Sequence, residues 1–154
     1  MNDSDTRHSS PHELTAFLHG KIPLTRAMGV QVVECAERVV LTAPLAPNVN
    51  HLGTAFGGSL HALPTLACYC ALWMILRDAG LDGHVVVKRS SASYREPVTG
   101  DFRAVCLRPA PALAADFLAD VRRHKKARLD LAAIVEGARD KPAVEFSGSF
   151  VALV

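Results

Sequence analysis

The sequence predicts an α+β fold in which one curved antiparallel sheet wraps a long central helix. Three observations carry that expectation. The segment Gly58 to Ala79 is apolar on nearly every face, as a helix enclosed by a sheet must be. β-Branched and alternating runs stand on either side of it, punctuated by clusters of Gly, Pro, Asn and Asp. The order along the chain is helix, two strands, long buried helix, strands.

The elements follow in sequence. Residues 1–11 are polar and rich in Ser, Asp and His, which predicts a flexible leader ahead of one domain over residues 12–154. Leu14, Phe17, Leu18 and Ile22 recur at helical spacing, so an amphipathic helix is expected over Pro11 to Gly20, ended by Pro23. Val30 to Glu34 and Val39 to Leu45 read as a hairpin around the Ala36 to Arg38 turn, closed by Pro44 and Pro47. The central helix stops at Gly80 and Gly83. Within it Pro64 lacks an N–H, which predicts a kink or a cost of about 3 kcal/mol. Val85 to Tyr94 and Phe102 to Leu107 are strands around the Pro97 to Asp101 turn. Leu113 to His124 is an amphipathic helix, and Leu129 to Val135 and Val144 to Val154 are strands around the Gly137 to Pro142 turn.

Composition narrows the functional classes. With 154 residues, 49% of them apolar, the chain suits one compact domain with a real core. A net charge of +2 gives no global argument for nucleic acid, and aromatic interleaving is missing from the basic segments. Four cysteines, Cys35, Cys68, Cys70 and Cys106, lack metal-ligand spacing, and no apolar export signal precedes them. They read as buried thiols of a cytoplasmic protein, with no metal site. The run Leu63 to Leu76 is too short to span a bilayer and suits a buried core helix, so no membrane partner is expected.

Asn50-His-Leu-Gly-Thr-Ala-Phe-Gly-Gly-Ser-Leu60 carries the chemistry, because a polar turn runs straight into the central helix through adjacent glycines. Gly57 and Gly58 let a ligand oxygen approach free N–H groups where the helix dipole is positive, which makes an oxyanion site. Asn50 also suits a plain turn, since its side chain tolerates a left-handed backbone.

This turn resembles the active-site loop of the hotdog superfamily of acyl-thioester enzymes. Tyr94-Arg-Glu-Pro-Val98 with Gly100-Asp101 resembles that superfamily's strand-turn-strand signature. Gly53-Thr-Ala-Phe-Gly-Gly-Ser59 is similar to the YiiD C-terminal-domain family of thioesterases, whose members act as malonyl-acyl carrier protein decarboxylases. The element order is shared from Ile22 to Val154, and the close motif matches lie in the two short segments. The resemblance implies a hotdog domain, at least dimeric, with a tetramer left open. Its substrate is a thioester on the phosphopantetheine of acyl carrier protein or coenzyme A, with no other cofactor.

It also implies roles. Asn50 matches the loop Asn whose amide donates to the thioester carbonyl, and Gly57 and Gly58 match the oxyanion pair. Phe56 stands where many hotdog thioesterases carry His, and Thr65 where many carry the Asp or Glu that activates water. No Asp or Glu occurs between Arg38 and Arg77, so hydrolysis lacks its acid there. Decarboxylation of a malonyl thioester needs none, because it requires only stabilisation of an enolate oxygen. Hydrolysis of an acyl thioester and catalysis-free acyl binding stand as alternatives. Ser59 caps the helix or touches ligand, Tyr94 contacts substrate on the Lys88 to Tyr94 strand that faces the loop of a partner chain, and His51 and His61 are each a general base or an ordinary surface or core histidine. The run Arg122-Arg-His-Lys-Lys-Ala-Arg128, with Arg123 at its centre, and the pair Lys88 and Arg89 hold coenzyme A phosphates or an acidic carrier, or are simply solvated.

Overall fold

The computed structural model describes residues 9–154. Most of the expected leader lies outside the described residues, but its end does not. Ser10 is already the N-cap of α1 (Pro11–Lys21), and its hydroxyl accepts from the Glu13 N–H at 3.1 Å while the Glu13 carboxylate accepts from the Ser10 N–H at 3.0 Å. That reciprocal pair satisfies two donors at the helix start. Pro23 closes α1 as expected and also opens a second short helix, α2 (Pro23–Ala27), since proline suits a first helical turn.

Strands β1 (Gln31–Cys35) and β2 (Arg38–Ala43) form the hairpin, and the central helix α3 runs from Gly57 to Asp78. Then come β3 (His84–Tyr94), β4 (Phe102–Leu107), α4 (Pro111–His124), β5 (Lys126–Glu136) and β6 (Pro142–Leu153). One antiparallel sheet holds all six strands in the order β1-β2-β4-β5-β6-β3. This is the hotdog architecture, with α3 as the enclosed helix.

Burial alternates strictly along β5, where Ala127, Leu129, Leu131, Ala133 and Val135 face inward. Inside the curve of the sheet α3 contributes Leu63, Ala67, Cys68, Cys70, Ala71 and Leu72, each fully buried. By length and hydropathy α3 could cross a membrane, yet 61% of its apolar window is buried inside the fold. The helix continues through Pro64, and Thr65 stays one turn beyond His61.

β3 is an edge strand. It pairs with β6 along its whole length, from His84 opposite Leu153 to Tyr94 opposite Val144, and among the described residues its other edge has no strand partner. Its start lies beside the start of β5, because Leu153 also faces Lys126, and its end lies beside the start of α3.

Candidate active site

The Asn50 turn is built by its own side chain. The Asn50 Oδ1 accepts from the N–H of Leu52 at 2.8 Å and of Thr54 at 3.1 Å. The Nδ2 donates to Thr54 Oγ1 at 2.8 Å and to the Ala55 carbonyl at 3.4 Å. Gly53 takes the left-handed conformation at φ +76°, and Val49 and Ala55 close the turn as a β-bridge. Both hydrogens of the Asn50 amide are therefore engaged inside the loop. One must be released before that group can reach a thioester oxygen.

Below the loop, Asn48 is 3% exposed and ties it to the scaffold, donating from Nδ2 to the carbonyls of Met28 and Pro44, each at 2.8 Å. Its backbone carbonyl accepts from the Phe56 N–H at 2.7 Å, which fixes the entry into α3. Sequence reading passed over Asn48. The signal was present as an Asn within an apolar, proline-flanked stretch, but only the fold shows that it is buried.

The start of α3 is bare. The first helical bond runs from the Leu60 N–H to the Phe56 carbonyl at 3.0 Å, and Phe56 provides no side-chain cap. Among the described residues the N–H groups of Gly57, Gly58 and Ser59 have no hydrogen-bond partner. Such donors with the positive end of a helix dipole attract an anion or a developing oxyanion. A Cβ on Gly58 would meet the Phe56 ring, with Cζ 2.9 Å away, so Phe56 keeps this position a glycine. Gly57 has more room, and its carbonyl accepts from the Tyr94 hydroxyl at 3.2 Å. Tyr94 of the same chain thus reaches the loop.

One turn into α3, His61 Nε2 lies 3.0 Å from Ser90 Oγ on β3, and its ring meets Phe146 edge-on with centroids 5.3 Å apart. Ser90 was not foreseen. Its neighbours Lys88 and Arg89 drew attention by charge, while a hydroxyl in a Ser-rich strand carries no distinguishing pattern. Thr65 donates its hydroxyl back to the His61 carbonyl at 2.8 Å, which leaves that oxygen only as an acceptor.

Neither α3 before Asp78 nor β3 contains an acidic residue. Among the described residues no carboxylate is hydrogen-bonded to Asn50, His61, Thr65, Ser90 or Tyr94. Glu96 is engaged elsewhere, accepting from the Ala138 N–H at 2.8 Å.

Several anticipated residues do not converge here within one chain. Arg89 faces Ser149 across the sheet and stands on the opposite face from Ser90, and Lys88 occupies the bulge beside it. Arg123 sits in the last turn of α4, near the start of β5 and far from the α3 N-terminus. His51 is exposed in the turn. The four thiols are buried, and Cys68 is held protonated by its hydrogen bond with Cys106 and by burial, Cys70 by burial. None is poised as a nucleophile. A cavity of about 740 Å³ opens at the far end of α3, lined by Val33, Cys35, Ile75, Arg108 and Pro111, and it does not touch the Gly57 region.

Residues 11–154 match the model of the family described as "Putative thioesterase (yiiD_Cterm)". Among solved structures, a protein of unknown function from Chlorobaculum tepidum TLS is 30% identical with a TM-score of 0.88, the match covering 93% of each chain. The structure described as "putative thioesterase from Shewanella oneidensis" is 25% identical with a TM-score of 0.83, covering 94% of this chain and 97% of that one. A thioesterase from Haemophilus influenzae shares the fold at 10% identity and a TM-score of 0.72, covering 96% of this chain and 93% of that one.

Proposed function

The chain belongs to this YiiD C-terminal thioesterase family of the hotdog fold, and on that premise we propose that it decarboxylates a malonyl thioester carried on phosphopantetheine, leaving the acetyl thioester. The observation that carries this reading is the acid-free site. Unpartnered N–H groups at Gly57 and Gly58 sit beside a His61–Ser90 pair with no carboxylate hydrogen-bonded to it.

In the proposed step the bond between the α-carbon and the carboxylate breaks and carbon dioxide leaves. The bonding pair stays on the substrate as an enolate, whose charge collects on the thioester oxygen. The Gly57 and Gly58 N–H groups receive that oxygen, each donor worth on the order of 3 kcal/mol in such sites. A proton from water, relayed through His61 and Ser90, then converts the enolate to the acetyl thioester. A general-base carboxylate beside the substrate's own carboxylate would repel it, which agrees with the acid-free elements. Asn50 holds the loop that orients these donors, and Thr65 keeps the first turns of α3 in register with His61.

Hydrolysis is the second reading, favoured by one observation. A histidine nitrogen 3.0 Å from a serine hydroxyl is also the geometry of a base activating a hydroxyl or water. Incubating the protein with malonyl-carrier protein and resolving products by mass separates the readings. Loss of carbon dioxide with the thioester intact is expected. Release of free thiol with malonate would move hydrolysis ahead, and an unchanged substrate would leave only a binding protein. His61→Ala is expected to lower kcat at least tenfold.

A further inference from the structure

We infer that the outer face around Lys126, Arg128, Val86 and Leu153 is the docking surface for an acidic carrier protein, which delivers its acyl thioester to the active site of a second copy of the chain. The inference rests on the acyl-thioester reading above and adds the partner and the route.

Charge supplies the first argument. Arg122, Arg123, Lys125, Lys126 and Arg128 lie within seven residues, with no acid among them. Among the described residues none of the five makes an ion pair or a side-chain hydrogen bond, whereas Arg38, Arg95, Arg103 and Arg108 are each paired with a carboxylate. Arg122 and Arg123 close α4 and complement its dipole. Lys126 and Arg128 have no such role, since they stand exposed on β5, outside the helix.

Register supplies the second. Lys126 faces Leu153, which faces His84, and Arg128 faces Val151, which faces Val86. Leu153 is 38% and Val86 48% exposed, so apolar surface on β6 and β3 lies beside the two β5 cations on one side of the sheet, with Val151 buried beneath it. Three strands at about 4.8 Å spacing make a patch about 10 Å wide, the diameter of one helix. An acidic amphipathic helix fits it, with apolar side chains on that apolar surface and carboxylates on Lys126 and Arg128. A lone phosphate calls for converging donors, and these cations instead fan out over two elements. Nucleic acid calls for aromatic platforms, and the patch has none.

The third argument is reach. Along β3 the patch at His84 is ten residues from Tyr94, about 34 Å at strand rise, and Tyr94 marks the Gly57 site. That span exceeds a phosphopantetheine arm. β3 leaves its outer edge open, and antiparallel pairing with β3 of a second copy brings that copy's patch beside this chain's Tyr94. A carrier seated on one subunit therefore serves the other.

The test compares wild type with K126E/R128E on malonyl groups carried by acidic carrier protein and by coenzyme A. The variant is expected to lose at least tenfold in kcat/KM for the carrier substrate, with a flattened salt dependence and unchanged turnover of the coenzyme A thioester. An equal fall on both substrates, or no fall on either, overturns the inference. So does binding of a random oligonucleotide that the variant abolishes. Should neither substrate react with wild type, the acyl-thioester reading fails, and titration of holo-carrier protein still decides docking by whether the variant weakens binding tenfold. Route is read in mixed dimers of K126E/R128E with H61A, where activity on the carrier substrate is expected to return because the intact patch and intact His61 sit on different chains. An inactive mixed dimer with active parental controls overturns delivery across the interface.

Discussion

Replacing Asn50 with alanine is expected to cost stability as well as activity, and the size of the loss follows from its contacts. The side chain makes three good hydrogen bonds, to the Leu52 N–H, the Thr54 N–H and the Thr54 hydroxyl, and a longer one to the Ala55 carbonyl. Each such bond contributes about 0.5–1.5 kcal/mol net, and solvent competes in this partly exposed turn, so the sum is about 2 kcal/mol. For a chain of this size that lowers Tm by roughly 4–8 °C. Asn50→Asp keeps both acceptor bonds and removes only the amide donors, so its Tm is expected to fall by less. The pair separates two roles. If Asn50 builds the loop, turnover of malonyl thioester tracks Tm, and Asn50→Asp keeps activity within a few fold. A variant of unchanged Tm and abolished turnover would refute the reasoning, and would show that the amide leaves the loop to hold the substrate oxygen.

Further outcomes are expected at neighbouring positions. Gly58→Ala pushes the added methyl into the Phe56 ring and should lower kcat at least tenfold, while Gly57→Ala, with ordinary contact to Tyr94, should lower it less; equal rates in both variants would remove Phe56 as the reason for the glycine. Ser90→Ala is expected to slow turnover while the protein unfolds within about 1 kcal/mol of wild type, since a single partly buried bond to His61 is lost; a rate equal to wild type would exclude the relay. Burial holds the Cys70 thiol above its ordinary value of 9.0, so the folded state keeps a proton that the unfolded state loses. Stability from this thiol is complete below pH 9 and falls above it by up to about 1.4 kcal/mol per pH unit. Urea unfolding of Cys70→Ala between pH 8 and 10.5 should show a shallower decline than wild type, and an identical slope would contradict the assignment.

Much of the fold was legible because its signals are local. The Ser10 and Glu13 spacing, the turn clusters and the unbroken apolar surface of α3 each depend on neighbours in sequence, and the element bounds moved by only a few residues. At Pro64 the sequence shows the missing donor, and the structure adds that α3 continues through it on both sides. The site was legible only in part. Gly57 and Gly58 announce themselves as a pair, whereas Ser90 reaches His61 across 29 positions of chain through the pairing of β3 with β6. The placement of Arg89 is hidden for the same reason. Adjacent residues on a strand face opposite ways, and which way is set by the register with β6, which no local pattern prints.

The acid-free stretch joins the site to the choice of reaction. From Arg38 to Arg77 no carboxylate occurs, β3 has none, and the acids beside the end of β3 are engaged: Glu96, just after it in sequence, with the Ala138 N–H, and Glu145, across from it on β6, with Arg95. A hydrolase must move a proton off water before the carbonyl is attacked, and among the described residues at the start of α3 His61 is the base placed to take it. A decarboxylase needs its proton after the bond breaks, when the enolate carbon is itself a strong base and a weak donor suffices. Thr65, whose hydroxyl is committed to the His61 carbonyl, fits the second demand better than the first, because it steadies the histidine and takes no proton. Thr65→Glu restores an acid at the helix position and so distinguishes the two. It is expected to suppress decarboxylation through repulsion of the substrate carboxylate, and a gain in release of carbon dioxide would overturn that electrostatic argument.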